Sequence, residues 1–334
     1  MEFEFFIGID VSKNELDFSV QQGKCFLFHR EISNEPAGIK AFVKELKQLP
    51  GFEMNKAVFC MEHTGIYNNH ALSCLHEKKG NICLEAASQI KNSLGNIRGK
   101  NDKVDSMRIA EYAYRNRESL RLWAPKREVL IQLSHYSGIR SRLLTAQKML
   151  KTPLKELVGF SKVKVAKQNQ ALCSTALKAI KGDLARVDQA IATVVSGDPE
   201  LKRLFDIATS VCGIGKVTGV QLLITTNEFK DIDQAKQYAC YAGVAPFTDE
   251  SGKVKKKARV SHMANKKVKT LLHLAAMVAI QYNPELKVFY ERKVLQGKHK
   301  MSVINAVRNK LIERVFACVN QNRKYEKNYC RLVA

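Results

Sequence analysis

The chain has 334 residues, with 55 Lys and Arg against 32 Asp and Glu, a formal charge of +23 at neutral pH. That length has room for two or three domains, and the cationic surplus favours polyanionic partners through counterion release. Nine cysteines, an odd number with no C-x-x-C pair, argue against a disulfide framework, and the longest apolar helical run, 271–280, is too short to span a bilayer and contains His273. The first residues, Met1-Glu2-Phe3-Glu4, lack the basic segment of a secretory signal, so a cytoplasmic, nucleoid-associated protein without a membrane partner is expected. In chain order, 3–10 is an apolar run of strand length (Phe3, Phe5, Phe6, Ile7, Ile9) closed by Asp10. Residues 16–20 and 25–29 alternate apolar and polar about a polar stretch containing Gly23, which predicts a three-strand meander. Ile39, Phe42, Val43, Leu46 and Leu49 then stand at helical spacing over 36–49. The apolar strand 57–61 ends in Glu62, and a helix over 66–79, a strand over 82–86 and a further helix follow.

A β-β-β-α-β-α-β-α order is the ribonuclease H-like arrangement. It delivers Asp10 and Glu62 to the carboxyl ends of strands, where an acid is costly unless paired or metal-bound. Asp102 and Asp105 lie three apart ahead of the helical pattern Met107, Ile109, Ala110, Tyr112 and Ala113, so they share one helix face. Four carboxylates on three elements suit Mg²⁺, with Mn²⁺ able to substitute, because hard cations take oxygen ligands and leave positions for substrate phosphate. Two such ions about 3.5–4 Å apart stabilise both the attacking and leaving oxygens of an in-line displacement. The plainer alternative is that these acids end a strand, start a turn and cap a helix. His70 and Cys74, four apart with His63 and His76 nearby, leave a zinc site conceivable, although their spacings match no standard pattern.

Trp123-Ala124-Pro125 ends the first region, 1–125, since a helix stops before proline. In 126–198, Val129, Leu130, Leu133, Ile139, Leu143 and Leu144 make one helical stripe and Leu172, Leu177, Ile180, Leu184, Val187 and Ile191 another. The polar run 161–170 between them predicts a helical hairpin or coiled-coil arm used for self-association, with an ordinary helical core as the alternative. A third region, 199–334, is mostly helical. Its Gly213-Ile214-Gly215-Lys216 resembles a helix-hairpin-helix turn whose backbone N–H groups approach a phosphate, and a tight turn between packed helices explains it almost as well. No G-x-x-x-x-G-K-[ST] occurs, so the chain has no ATP loop. From 251 to 269 there are eight basic residues and no acid: Lys253, Lys255, Lys256, Lys257, Arg259, Lys266, Lys267 and Lys269. Such a run is expected to grip phosphates, unless it is a solvated loop.

Three stretches carry a family resemblance: Ile7-Gly8-Ile9-Asp10-Val11-Ser12-Lys13, Glu62-His63-Thr64-Gly65-Ile66-Tyr67, and 98–106 from Arg98 through Asp102 and Asp105 to Ser106. They resemble the RuvC-like DEDD domain of bacterial insertion-sequence transposases of the IS one-ten type, whose relatives include the Piv invertases. Val211-Cys212-Gly213-Ile214-Gly215, Gly243-Val244-Ala245-Pro246 and Glu250-Ser251-Gly252 extend the match downstream. His63 and Ser106 stand where that family more often has alanine, and Asn101 where it often has threonine. The resemblance implies a DNA recombinase whose Ser251 is the nucleophile, forming a phosphoserine ester beside Mg²⁺-binding Asp10, Glu62, Asp102 and Asp105. Without the resemblance, a Ser-Gly in a basic loop reads as a turn. Nucleic-acid contacts are expected at Arg98, Lys100, Lys103, Gly213, Gly215 and the basic run. The resemblance further implies donor and target DNA, a structured bridge RNA, and a homodimer or tetramer in which the serine of one protomer meets the carboxylates of another. Two other classes stay open: a junction-type nuclease that activates water with the same acids, and a non-catalytic nucleic-acid-binding protein.

Overall fold

A computed structural model of the protein describes residues 2–93, 101–251, 254–261 and 263–326, with backbone alone at 249–251 and 254–257. The chain divides after Pro125 into two compact units.

In the first unit, β1 (Phe5–Val11), β2 (Glu15–Gln22) and β3 (Cys25–Ser33) form an antiparallel meander. Helix α1 (Pro36–Leu46) follows, then β4 (Ala57–Glu62), α2 (Asn69–Glu77), β5 (Asn81–Glu85), α3 (Ala87–Ser93) and α4 (Asp102–Arg115). The sheet order is β3-β2-β1-β4-β5, with β1, β4 and β5 parallel. This mixed sheet is consistent with the ribonuclease H-like arrangement. Strand alternation sorts its two faces. Phe5, Ile7 and Ile9 pack on one side with Phe42 and Leu46 of α1 and Leu75 of α2, while Phe6, Val58 and Cys60 meet Ile109, Tyr112 and Ala113 of α4 on the other. By the same period, Gly8, Asp10 and Glu62 belong to the α4 side. The helix expected from 66 starts instead as a 3-10 turn at Gly65–Asn68. Gly65 has φ +80°, and the buried Asn68 side chain is spent on this turn, accepting from Thr64 N at 2.7 Å and donating to Glu62 O at 2.8 Å.

The second unit opens with two long helices, α5 (Glu128–Phe160) and α6 (Val163–Gly197), packed on each other. Only residues 161 and 162 separate them, so most of the polar run 161–170 is helical. Its residues are ordinary helix formers, and polarity alone does not end a helix. Then come α7 (Pro199–Thr209), α8 (Lys216–Thr226), α9 (Ala235–Tyr241), the antiparallel hairpin β6 (Pro246–Ser251) and β7 (Val254–Val260), α10 (Lys266–Tyr282), α11 (Pro284–Leu295) and α12 (Lys300–Asn320). One core joins Leu130 and Leu133 of α5, Val195 of α6, Leu204 of α7, Leu223 of α8, Leu272 of α10 and Leu311 of α12. Arg127 ties its edge together. The guanidinium donates to Asp198 at 2.8 and 2.9 Å and through Nε to both oxygens of the fully buried Glu228 at 3.1 and 3.0 Å.

Candidate functional site

The acidic site is built by one close approach. A β-carbon on Gly8 would lie 2.1 Å from Ser106 O and 2.3 Å from Ala110 N, so only glycine lets α4 cross β1 here. Ser106 is fully buried at the crossing, with its hydroxyl 2.8 Å from that of Ser19. The first turn of α4, which carries Asp102 and Asp105, is thereby set near the end of β1. Asn101 caps it, its side chain accepting from Lys103 N at 2.9 Å. The parallel register Ile9↔Met61 places Asp10 and Glu62 side by side at the carboxyl ends of β1 and β4.

Asp10 is half-buried, and its pKa is raised to about 6 by that burial and by the negative charges of Asp102, Asp105 and Glu62. Those three acids therefore act on one carboxylate. They do not form a tight cage: among the described residues no three His, Cys, Asp or Glu side chains converge closely enough to hold a metal ion. Asp105 instead accepts from Arg108 Nη1 at 2.6 Å. The possible zinc ligands are also kept apart, since Cys74 faces the core while His63, His70 and His76 are exposed and His76 edges the Trp123 ring.

In the second unit, Ser251 ends β6 at the hairpin tip, opposite Val254. Lys255, Lys256, Lys257 and Arg259 lie on β7, and the register sets Lys255 across from Glu250 and Lys256 across from Asp249. Lys266, Lys267 and Lys269 fall in the first turn of α10, where Lys267 Nζ donates to Ser137 at 3.0 Å and partial burial beside Arg140 lowers its pKa. Gly213, with φ +97°, is pressed against α10, its missing β-carbon 2.4 Å from Ala275 O, whereas Gly215 caps α8 with open space around it. Lys103 is exposed on α4. The expected contacts Arg98, Lys100 and Lys253 lie outside the described residues.

A family model of DEDD-type IS110 transposases matches residues 7–160, and that of the transposase IS116/IS110/IS902 family matches 206–291. The chain belongs to the IS110 transposase family. It is similar over nearly its whole length to the pilin gene-inverting protein of Moraxella bovis, 25% identical over 332 residues covering 96% of this chain and 98% of that one. The pilin gene-inverting protein of Moraxella lacunata is likewise 25% identical over 331 residues, 96% of this chain and 98% of the relative. An uncharacterized 43.6 kDa protein of insertion element IS110 from Streptomyces coelicolor is 28% identical over 128 residues, 38% of this chain and 31% of the relative.

Two features of this IS110-family fold are absent from the sequence expectations. Asn68 fixes the chain after Glu62, and no periodicity marks it. Arg308 does carry a signal: it falls in the buried stripe Ile304, Val307, Leu311, Ile312 and Val315 of α12, where a charge is out of pattern.

Proposed function

We propose that the protein is a transposase or site-specific recombinase of an insertion sequence, cutting and rejoining DNA strands through a phosphoserine intermediate at Ser251. The observation that carries this reading is that the half-buried Asp10 feels the negative charges of Asp102, Asp105 and Glu62 in a chain of this family. The similarity to pilin gene-inverting proteins, which by name invert a gene, supports strand exchange over simple hydrolysis.

The donor set at the acidic site is entirely carboxylate oxygen, and the pKa of Asp10 is raised first by burial and then by neighbouring negative charge, which a cation relieves, so the chemistry of the residues fits Mg²⁺ or Mn²⁺. Asp10, Glu62, Asp102 and Asp105 would hold it, and when bound it supplies Lewis-acid stabilisation of charge at the transferring phosphoryl group. Ser251 Oγ gives up its proton to a base and bonds to phosphorus while one phosphoester P–O bond breaks, and the departing DNA oxygen takes up a proton to become a hydroxyl. A DNA hydroxyl then attacks the phosphoserine, restoring the diester and the serine. One ester bond is exchanged for another at each step, so no ATP is required.

The remaining parts follow as proposals. Residues 1–125 are the catalytic carboxylate domain, 126–198 a coiled-coil arm, and 199–334 the serine-bearing domain. The far end of the α5–α6 hairpin leaves Phe160 94% and Leu172 82% exposed, with Met149, Val158 and Val163 beside them, which supports self-association into a dimer or tetramer. Gly215 at the amino end of α8 supports a phosphate contact of the helix-hairpin-helix kind. The charge of +23 suits both DNA and a structured bridge RNA bound through its backbone in the cytoplasm. The test is a cleavage assay with the element's DNA and RNA in Mg²⁺. Asp10→Asn and Glu62→Gln are expected to abolish cleavage and leave binding intact; normal cleavage by both overturns the metal-site reading.

A further inference from the structure

An open cavity of ≈ 1120 Å³ lies in the second unit where α9, the base of the β6–β7 hairpin, the start of α10 and the first half of α12 meet. Arg308 lines it and is only 6% exposed. Its Nη2 donates to His273 Nδ1 at 2.6 Å, its Nη1 to Asn305 Oδ1 at 3.3 Å, and its Nε has no partner. None of these partners is anionic, and among the described residues no ion pair involves Arg308. Burying a guanidinium among neutral groups is costly unless something else supplies the counter-charge. His273 cannot serve, since an imidazole is either neutral or cationic. The cavity's one acid, Glu313, already accepts from Asn309 Nδ2 at 2.6 Å.

Further positive charge surrounds the opening from separate elements, with Lys236 on α9, Arg259 on β7 and Lys269 on α10. Much of the remaining wall is apolar, including Ala239, Val244 and Ala306. Asn305 fixes the wall by donating to Val244 O at 2.8 Å, within the Gly243-Val244-Ala245-Pro246 segment. A planar guanidinium with flanking cations matches a phosphate, and an apolar wall matches a base or sugar, so the combination fits a nucleotide unit. The volume is ample for one.

Position along the hairpin bears on which nucleotide, for a strand that follows β6. Pro246 is at the cavity and Ser251 is five residues further along β6, about 17 Å of strand. At about 3.4 Å per nucleotide in a stacked strand, that is about five positions. We propose that this cavity holds a nucleotide of the DNA strand that is cut, a few positions from the bond at Ser251, with Arg308 and Lys269 on its phosphate. The identity of the strand rests on the recombinase reading; the nucleotide chemistry does not.

The test is fluorescence anisotropy of the full chain with a labelled oligodeoxythymidine strand, comparing wild type, Arg308→Gln and Lys269→Met after thermal melting confirms folding. Each substitution is expected to weaken binding about tenfold and to reduce the salt slope by about 0.7, the value for one phosphate no longer neutralised on a single strand. Lys269 is only half-buried, so its variant reports even where Arg308→Gln fails to fold. Unchanged affinity and slope for folded Lys269→Met overturns the proposal, and if wild type still forms a covalent adduct through Ser251, the recombinase reading survives it. A wild type that binds no DNA strand overturns both. Weakening confined to an oligouridylate RNA strand assigns the cavity to RNA and also overturns the proposal.

Discussion

The carbonyl oxygen of Ser106 lies so close to Gly8 that a β-carbon there would sit 2.1 Å from it. That approach sets the distance between α4 and β1, and with it the position of Asp102 and Asp105 relative to Asp10. Gly8→Ala is therefore expected to push α4 outward, destabilise the fold by about 1–3 kcal/mol and lower DNA cleavage by at least about tenfold. Thermal melting and a cleavage assay check this, and wild-type cleavage by the alanine variant would show that the crossing distance is irrelevant to the chemistry.

Asp10 supplies a prediction with a sign. Its pKa is near 6 in the fold and about 3.9 unfolded, so its contribution is most favourable below pH 4 and is lost as pH rises through 6. Without divalent metal, Asp10→Asn is expected to melt higher than wild type at pH 7 and equal to it near pH 3.5, and added Mg²⁺ is expected to narrow the gap at pH 7. A melting series across pH 3.5–7.5 reads it; a gap independent of pH would mean that Asp10 does not carry the strain.

Much of the first unit is legible in the sequence because its elements obey simple periods. The run ending at Asp10, the alternating meander and the apolar strand before Glu62 all appear where the pattern puts them. The closeness of α4 is not legible, since a glycine within a strand pattern does not reveal which backbone passes over it. Arg308 is hidden for a related reason: its stripe position is visible, but its neutral partners, His273 and Asn305, are brought to it only by tertiary packing. The basic run looks uninterrupted because its pattern starts after Glu250, whereas hairpin register pairs two of its lysine positions with Asp249 and Glu250.

That register bears on nucleic-acid binding. Replacing Lys255, Lys256 and Lys257 by alanine is expected to weaken duplex DNA binding across sequences and flatten its salt dependence by about 0.9 for each phosphate no longer neutralised. Because two of the three face acidic positions across the hairpin, the change in slope should fall short of that for three phosphates. An unaltered slope would make the strand a solvated edge.

Arg127 is expected to matter for stability rather than chemistry. Arg127→Met strands Glu228, whose side chain is fully buried and, among the described residues, keeps Lys230 at 3.1 Å; a destabilisation of about 3 kcal/mol is expected. Adding Glu228→Gln should recover part of it. Urea unfolding of the single and double variants measures the coupling, and simple additivity of the two would rule out the pairing as the cause.

The central claim is that serine, not water, attacks the DNA. Wild-type protein incubated with its element's DNA and RNA in Mg²⁺ is expected to yield a denaturant-resistant adduct with one strand, and peptide mapping to place it on Ser251. Ser251→Ala should fold and bind yet lose both adduct and strand exchange, since a hydroxyl at a hairpin tip contributes little to stability. Cleavage by Ser251→Ala at the wild-type rate, with no adduct in wild type, would contradict the account and make the protein a metal-dependent nuclease using water.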